Sequence, residues 1–174
     1  LVSNAVLEEL RGIDRVEQIP WSADQEISLL QSFDIGLMPL ADIPKVYGKC
    51  GFKMIQYMAV GIPVVASAVG ANPKIFEGSA AGFLIDDLEE WELALNRLVE
   101  SPRLRKRMGA HGRVHVVENY SIDAVIDTYV ELFERVSGRA ARKGVRRGAA
   151  EVEPRRSALP VAAARNLMNL FAFF

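Results

Sequence analysis

Lys49 and Lys53 stand four residues apart in the run GKCGFKMIQYMAVGIPVVAS, residues 48–67, with Gly48 and Gly51 on either side of the first lysine and Cys50 between. A glycine-bracketed loop can bring its backbone close to a ligand, and a helix opening just after it presents unpaired N–H groups and the positive end of its dipole. With lysines at the same place, these are the parts from which an α/β chain builds a phosphate site. From Ile43 to Phe76 there is no Asp or Glu, whereas Lys45, Lys49, Lys53 and Lys74 give the segment a net charge of +4, against −1 for the whole chain. A diphosphate suits such a site. The other reading of these lysines is a solvated surface with no ligand.

The elements that must position these residues follow from spacing. Phe52, Ile55, Met58 and Ala59 recur at three and four residues, which predicts a helix with one apolar face. Gly61 closes it as a C-cap glycine, and Pro63 prevents its resumption. Val64, Val65 and Ala66 form an uninterrupted apolar run, the pattern of a strand covered on both faces in a parallel sheet. Upstream, Ser22 and Gln25 have capping-box spacing and predict a helix from Ala23 to about Phe33, followed by a short strand over Ile35–Leu40. Downstream, the turn Gly70-Ala71-Asn72-Pro73 leads to a short helix near Lys74–Glu77, and Gly82–Ile85 is one more strand. Asp87 with Glu90 caps a helix through Trp91, Leu95 and Leu98. Ser101-Pro102 starts another that runs to about Glu118, and Ser121 caps the last. In that last helix Ile122, Ile126, Tyr129, Val130 and Phe133 are spaced to pack on the sheet. Alternating βα units with buried strands predict an α/β chain with a Rossmann-like, doubly wound parallel sheet, whose ligands sit at the carboxyl ends of the strands. The loops 40–51 and 67–72 leave strands at that edge and line the expected site.

The chain has 174 residues, half of them hydrophobic, ample for a core. Its single cysteine, Cys50, excludes an internal disulfide framework and fits a reducing, cytoplasmic compartment. The charge divides near Ser137: residues 1–137 carry 13 basic and 20 acidic side chains, residues 138–174 carry 8 basic and 2 acidic. Residues 1–137 are therefore read as one domain and 138–174 as a basic, Ala/Arg-rich linker that cannot bury enough surface to fold alone. It ends in a run of 17 largely apolar residues. That run falls short of the roughly 20 residues of a membrane span, so the start of a cut-off span, a helix lying on a membrane surface and a packing tail are all open. The chain begins with Leu1 instead of Met, which is read as a start that lies upstream.

Other chemistry is weakly supported. His111 and His115 have a zinc-compatible helical spacing without a third ligand, so no metal is expected. Cys50 is read as a small loop residue and not a catalytic thiol. Trp21, Trp91, Tyr120 and Phe133 are assigned to the core. The arginine-rich tail has no interleaved aromatics before its apolar end, and no nucleic-acid partner is expected.

The succession DIGLMPL, GKCGFKMIQYMAVGIPVVAS, VGAN, GFLID and ENYS resembles the C-terminal domain of retaining GT-B glycosyltransferases of the group 1 class, over about residues 15 to 137. The resemblance implies a domain that binds a nucleotide-sugar donor without a metal. It also implies an acceptor, such as a glycan or a lipid, held by a separate N-terminal domain outside this sequence. The donor-binding residues it points to are Gly48, Lys49, Cys50, Gly51, Phe52, Lys53, Gln56, Gly70, Ala71 and Asn72. Many members carry two glutamates separated by seven residues, one near the donor sugar and one on the ribose hydroxyls, and a third acid after the proline of the turn. Gly48, Gln56 and Lys74 stand at those positions here. Gln56 can still bond a ribose hydroxyl, while Gly48 offers only backbone. No catalytic residue is therefore assigned. The family's diphosphate-gripping basic residues lie largely on a strand-helix unit that would precede Leu1, and the fragment alone is expected to be inactive. The alternative function is a non-catalytic nucleotide- or sugar-binding module of the same fold.

Overall fold

A computed structural model describes residue 8 and residues 12–137. The element order is α1 (Glu26–Gln31), β1 (Gly36–Met38), a 3₁₀ helix (Pro44–Gly48), α2 (Phe52–Ala59), β2 (Val64–Ser67), α3 (Asn72–Phe76), β3 (Gly82–Ile85), α4 (Leu88–Glu100), α5 (Pro102–Tyr120) and α6 (Ile122–Val136). The strands form a three-stranded parallel sheet in the order β1-β2-β3, with Gly36 opposite Val64 and Val64 opposite Gly82.

β2 is the centre of the molecule. Val64, Val65 and Ala66 have no exposed surface at all. Val64 and Ala66 join the cluster that holds Met54, Met58, Ile75 and Val116, from α2, α3 and α5. Val65 faces the other way, into Ile85, Ala94 and Leu98. Helices thus cover both faces, and the unbroken apolar run is explained by the two-residue period of a strand buried on each side.

Helix ends follow local rules where no tertiary contact intervenes. Gly61 (φ +81°) closes α2, its N–H donating to Met58 O and that of Ile62 to Tyr57 O, a Schellman pattern. Asp87, Ser101 and Ser121 accept from the backbone N–H groups of Glu90, Leu104 and Ala124 and start α4, α5 and α6. The box at Ser22 does not form. Gln25 N–H bonds to the Ser22 carbonyl in a turn, and α1 begins only at Glu26. β1 is shorter than expected because Pro39 has no N–H for a ladder and the Leu40 N–H goes to Ser67 Oγ instead. α3 starts at Asn72 and α5 runs on to Tyr120.

α5 crosses α2 at close range because Gly109 and Gly112 face it. A Cβ at Gly109 would lie 1.9 Å from Gly61 O, and one at Gly112 would meet Met58. The Arg113 guanidinium donates to Ala59 O across the same junction. α6 corrects an expectation: its main neighbour is α5 and not the sheet, none of its residues is buried, and Phe133 is 68% exposed. The amphipathic pattern is real, but α5 stands between it and the strands. No helix among the described residues is long and apolar enough to cross a membrane. The expectations for residues 138–174 lie outside the described residues.

Candidate functional site

The loops after β1 and β2 are tied together at the carboxyl edge of the sheet. Ser67 holds both: its Oγ accepts from Leu40 N–H at 2.8 Å, and its carbonyl accepts from Asn72 Nδ2 at 2.9 Å. Asn72 is 1% exposed, so its amide shapes the loop from within. Gly51 N-caps α2 in the left-handed region (φ +67°), and a Cβ there would come 2.3 Å from Ile75 Cδ1 and 3.1 Å from Asn72 Oδ1. Gly70 (φ +59°) lets its own loop approach Val46 O, which anchors the 3₁₀ helix. Ala71 packs against the main core. These residues build the frame on which the start of α2 rests.

Gly48, Lys49 and Cys50 are exposed on the approach to that helix. A Cβ at Gly48 would meet nothing within 4 Å, so no steric demand keeps a glycine there. Phe52 is partly buried at the first position of α2.

Beside α2 and β1 opens a cleft of about 430 Å³. Lys53 and Gln56 line it from α2, Glu26 and Leu29 from α1, Leu37 from β1, and Trp21 and Tyr57 complete its rim. The remaining residues expected at the site are outside its lining. Gln56 is 8% exposed and donates through Nε2 to Glu26 Oε1 at 3.1 Å. Trp21 Nε1 donates to the same oxygen, also at 3.1 Å. Burial raises the Tyr57 phenol above its ordinary pKa, and its hydroxyl donates at 3.5 Å to Leu37 O.

Sequence reasoning missed Glu26, Trp21 and Tyr57. Trp21, assigned to the core, is 45% exposed. Its signal was a tryptophan just ahead of a capping pattern, before a turn and not inside an apolar stripe. The acid-free segment is also less cationic in space than in sequence, because Lys74 pairs with Glu77 and Glu26 enters the cleft that holds Lys53. The Glu77 carboxylate raises the Lys74 pKa, and Lys74 lowers that of Glu77.

His115 Nε2 bonds at 2.8 Å to Ile75 O, a packing role between α5 and α3, while His111 is exposed. Among the described residues no group of His, Cys, Asp and Glu could hold a metal ion.

Comparison with known proteins agrees with this architecture. The sequence profile described as "Glycosyl transferases group 1" matches residues 3–101. The chain is similar to an MMP alpha-(1->4)-mannosyltransferase of Mycolicibacterium hassiacum, with 31% identity over 78% of the chain and 33% of that protein. A D-inositol 3-phosphate glycosyltransferase of Thermobifida fusca is 33% identical over 49% of the chain and 20% of its own length. The chain thus spans about a third or less of the curated relatives it matches. Among solved structures, a sucrose-phosphate synthase from Thermosynechococcus elongatus superposes with a TM-score of 0.61 over 73% of the chain and 31% of its own, at 23% identity, which establishes the fold as that of a GT-B domain. A profile match over more than half of the sequence, on a sheet and loops of this arrangement, places the chain in the group 1 glycosyl transferases.

Proposed function

We propose that this chain is the donor-binding half of a glycosyltransferase, taking a sugar from a nucleotide-sugar to an acceptor such as a glycan or a lipid held by another domain of the same protein. The observation that carries the reading is the meeting of Lys53 and Gln56 in one cleft between α1, β1 and α2, on the helix that opens directly after Gly51.

When a sugar leaves a nucleoside diphosphate, negative charge grows on the phosphate oxygen. Fixed cations and N–H dipoles stabilise that charge without reorganising. Lys53 on the first turn of α2, the positive end of that helix's dipole and Lys49 on the approach supply such groups. Gly51 keeps the loop low enough for the phosphates to reach them. No step requires a metal. No carboxylate stands at Gly48, and this favours a second reading, a binding module of the same fold that holds the nucleotide-sugar without turning it over.

Calorimetry of the chain with UDP-, GDP- and ADP-sugars tests the first element, and a coupled transfer assay the second. Binding of at least one nucleotide-sugar, weakened by Lys53→Ala, is expected; failure of all three would contradict the donor assignment. Transfer by this chain alone is not expected, and its detection would overturn the placement of the acceptor in another domain.

A further inference from the structure

The start of α2, which carries Lys53, rests on α3, and α3 is held in turn by a side chain from α5. α3 spans only five residues, Asn72–Phe76, too few to be stable by itself. Ile75 O, in its last turn, has no partner within the helix. His115, partly buried on α5, supplies one: its Nε2 lies 2.8 Å from that carbonyl. A carbonyl only accepts, so Nε2 carries a hydrogen and donates. The imidazole is held in this setting from two further directions. Asn119 Nδ2 donates to the His115 carbonyl at 2.8 Å, and the same nitrogen stands 3.5 Å from Nδ1. The Tyr120 ring packs against the imidazole with 5.9 Å between centroids. A neutral His115 with its hydrogen on Nε2 satisfies all of these contacts.

Ile75 passes this hold on to the loop before α2. Its side chain is 5% exposed, and its Cδ1 stands 2.3 Å from where a Cβ on Gly51 would be. Gly51 N-caps α2 in the left-handed conformation, so its seat on Ile75 sets where the first turn of α2 begins. At the other end of α3, Asn72 ties the loop after β2 through Ser67 O. One short helix therefore bears on both loops, and the bond from His115 fixes the end of it that lies under Gly51.

We propose that His115 is a positioning residue of the donor site. Through the Ile75 carbonyl it sets α3 against Gly51, and thereby aims Lys53 and the positive end of α2 at the phosphates of a nucleoside diphosphate. Such groups stabilise charge only where they are held in place beforehand. His115 does not line the cleft and acts through Ile75 alone. This inference rests on the donor-site reading of the cleft given above.

Calorimetry and amide NMR of the 174-residue chain with UDP, GDP and ADP, and with the matching nucleosides, test it in two variants. His115→Phe keeps a ring against Tyr120 and removes the donor. His115→Gln removes the ring and keeps an N–H the same number of bonds from the backbone. His115→Phe is expected to weaken the diphosphate by roughly three- to tenfold, the worth of one hydrogen bond, while the nucleoside stays within about twofold. It is also expected to shift the Gly51 and Phe52 amide signals before any ligand is added. His115→Gln should hold the diphosphate within about twofold of the unsubstituted chain. A role in packing alone would lower the urea midpoint of both variants and leave the diphosphate affinity of the folded chain and the Gly51 signal unchanged, which would overturn the proposal. A His115→Gln chain that loses as much affinity as His115→Phe would overturn it too. If none of the diphosphates binds the unsubstituted chain, the donor reading itself falls, and the inference with it.

Discussion

Lys53 and Lys49 carry the same charge on neighbouring turns of chain, yet only Lys53 lines the cleft. Lys53→Ala should therefore weaken a nucleoside diphosphate by about 1.5 to 3 kcal/mol, the range for hydrogen bonds to a charged group. Lys49→Ala should cost less than half as much, and both losses should shrink as salt screens the phosphates. Lys74→Ala serves as a control, since its ammonium is occupied by Glu77. Titration calorimetry at low and high salt checks the ranking; equal effects at Lys49, Lys53 and Lys74 would return all of them to ordinary surface. Gly48 gives the opposite kind of prediction. With open space around its missing side chain, Gly48→Glu should change folding stability by no more than about 0.5 kcal/mol in urea denaturation, although it restores a carboxylate to the family position. At this scale Lys53 and Gln56 were legible because they sit on a glycine-marked loop and helix. Glu26 was not, because its place in the cleft depends on α1 packing beside α2, 30 residues away in sequence.

Elements were legible where their rules are local. The serine and aspartate caps of α4, α5 and α6 need only a side chain three residues from an unpaired N–H, and they formed as read. Ser22 carried the same pattern and did not cap, because Gln25 N–H takes the Ser22 carbonyl and the helix starts later, at the residue that Trp21 and Gln56 hold. The apolar stripe of α6 was legible too, but not its neighbour, since no periodicity says which surface an amphipathic helix will meet. The junction of α5 with α2 yields a sharper prediction. Gly109→Ala would press a methyl group onto a backbone carbonyl in the turn that caps α2, so it should destabilise the fold by at least about 2 kcal/mol, measured by thermal or urea unfolding. A stable Gly109→Ala chain would contradict this packing. Tyr57 adds a pH dependence. Because burial raises its phenol above the ordinary value, the folded state keeps a proton that the unfolded chain releases. Its contribution to stability is whole below about pH 10 and is lost as pH rises through the folded pKa. Tyr57→Phe should flatten that alkaline loss in urea midpoints, and an unchanged slope would show that another group sets it.

The molecule as a whole places the parts of the proposed donor site at one edge. Three parallel strands bring the loops after β1 and β2 side by side, Ser67 and Asn72 lock them, and the start of α2 rests on the result. α4 and α5 pack on the sheet, α6 packs on α5, and none of them lines the cleft. The account's central claim is that a nucleoside diphosphate binds in the cleft beside α2, with its phosphates at the first turn of that helix. Amide and indole NMR of the labelled chain, titrated in turn with UDP, GDP and ADP, tests it most directly. The account predicts that at least one of them shifts the backbone signals of Gly51, Phe52 and Lys53, the Gln56 side-chain amide and the Trp21 indole N–H, with α4 and α6 unmoved. Shifts confined to α4, α5 or α6, or none with any of the nucleotides, would contradict it.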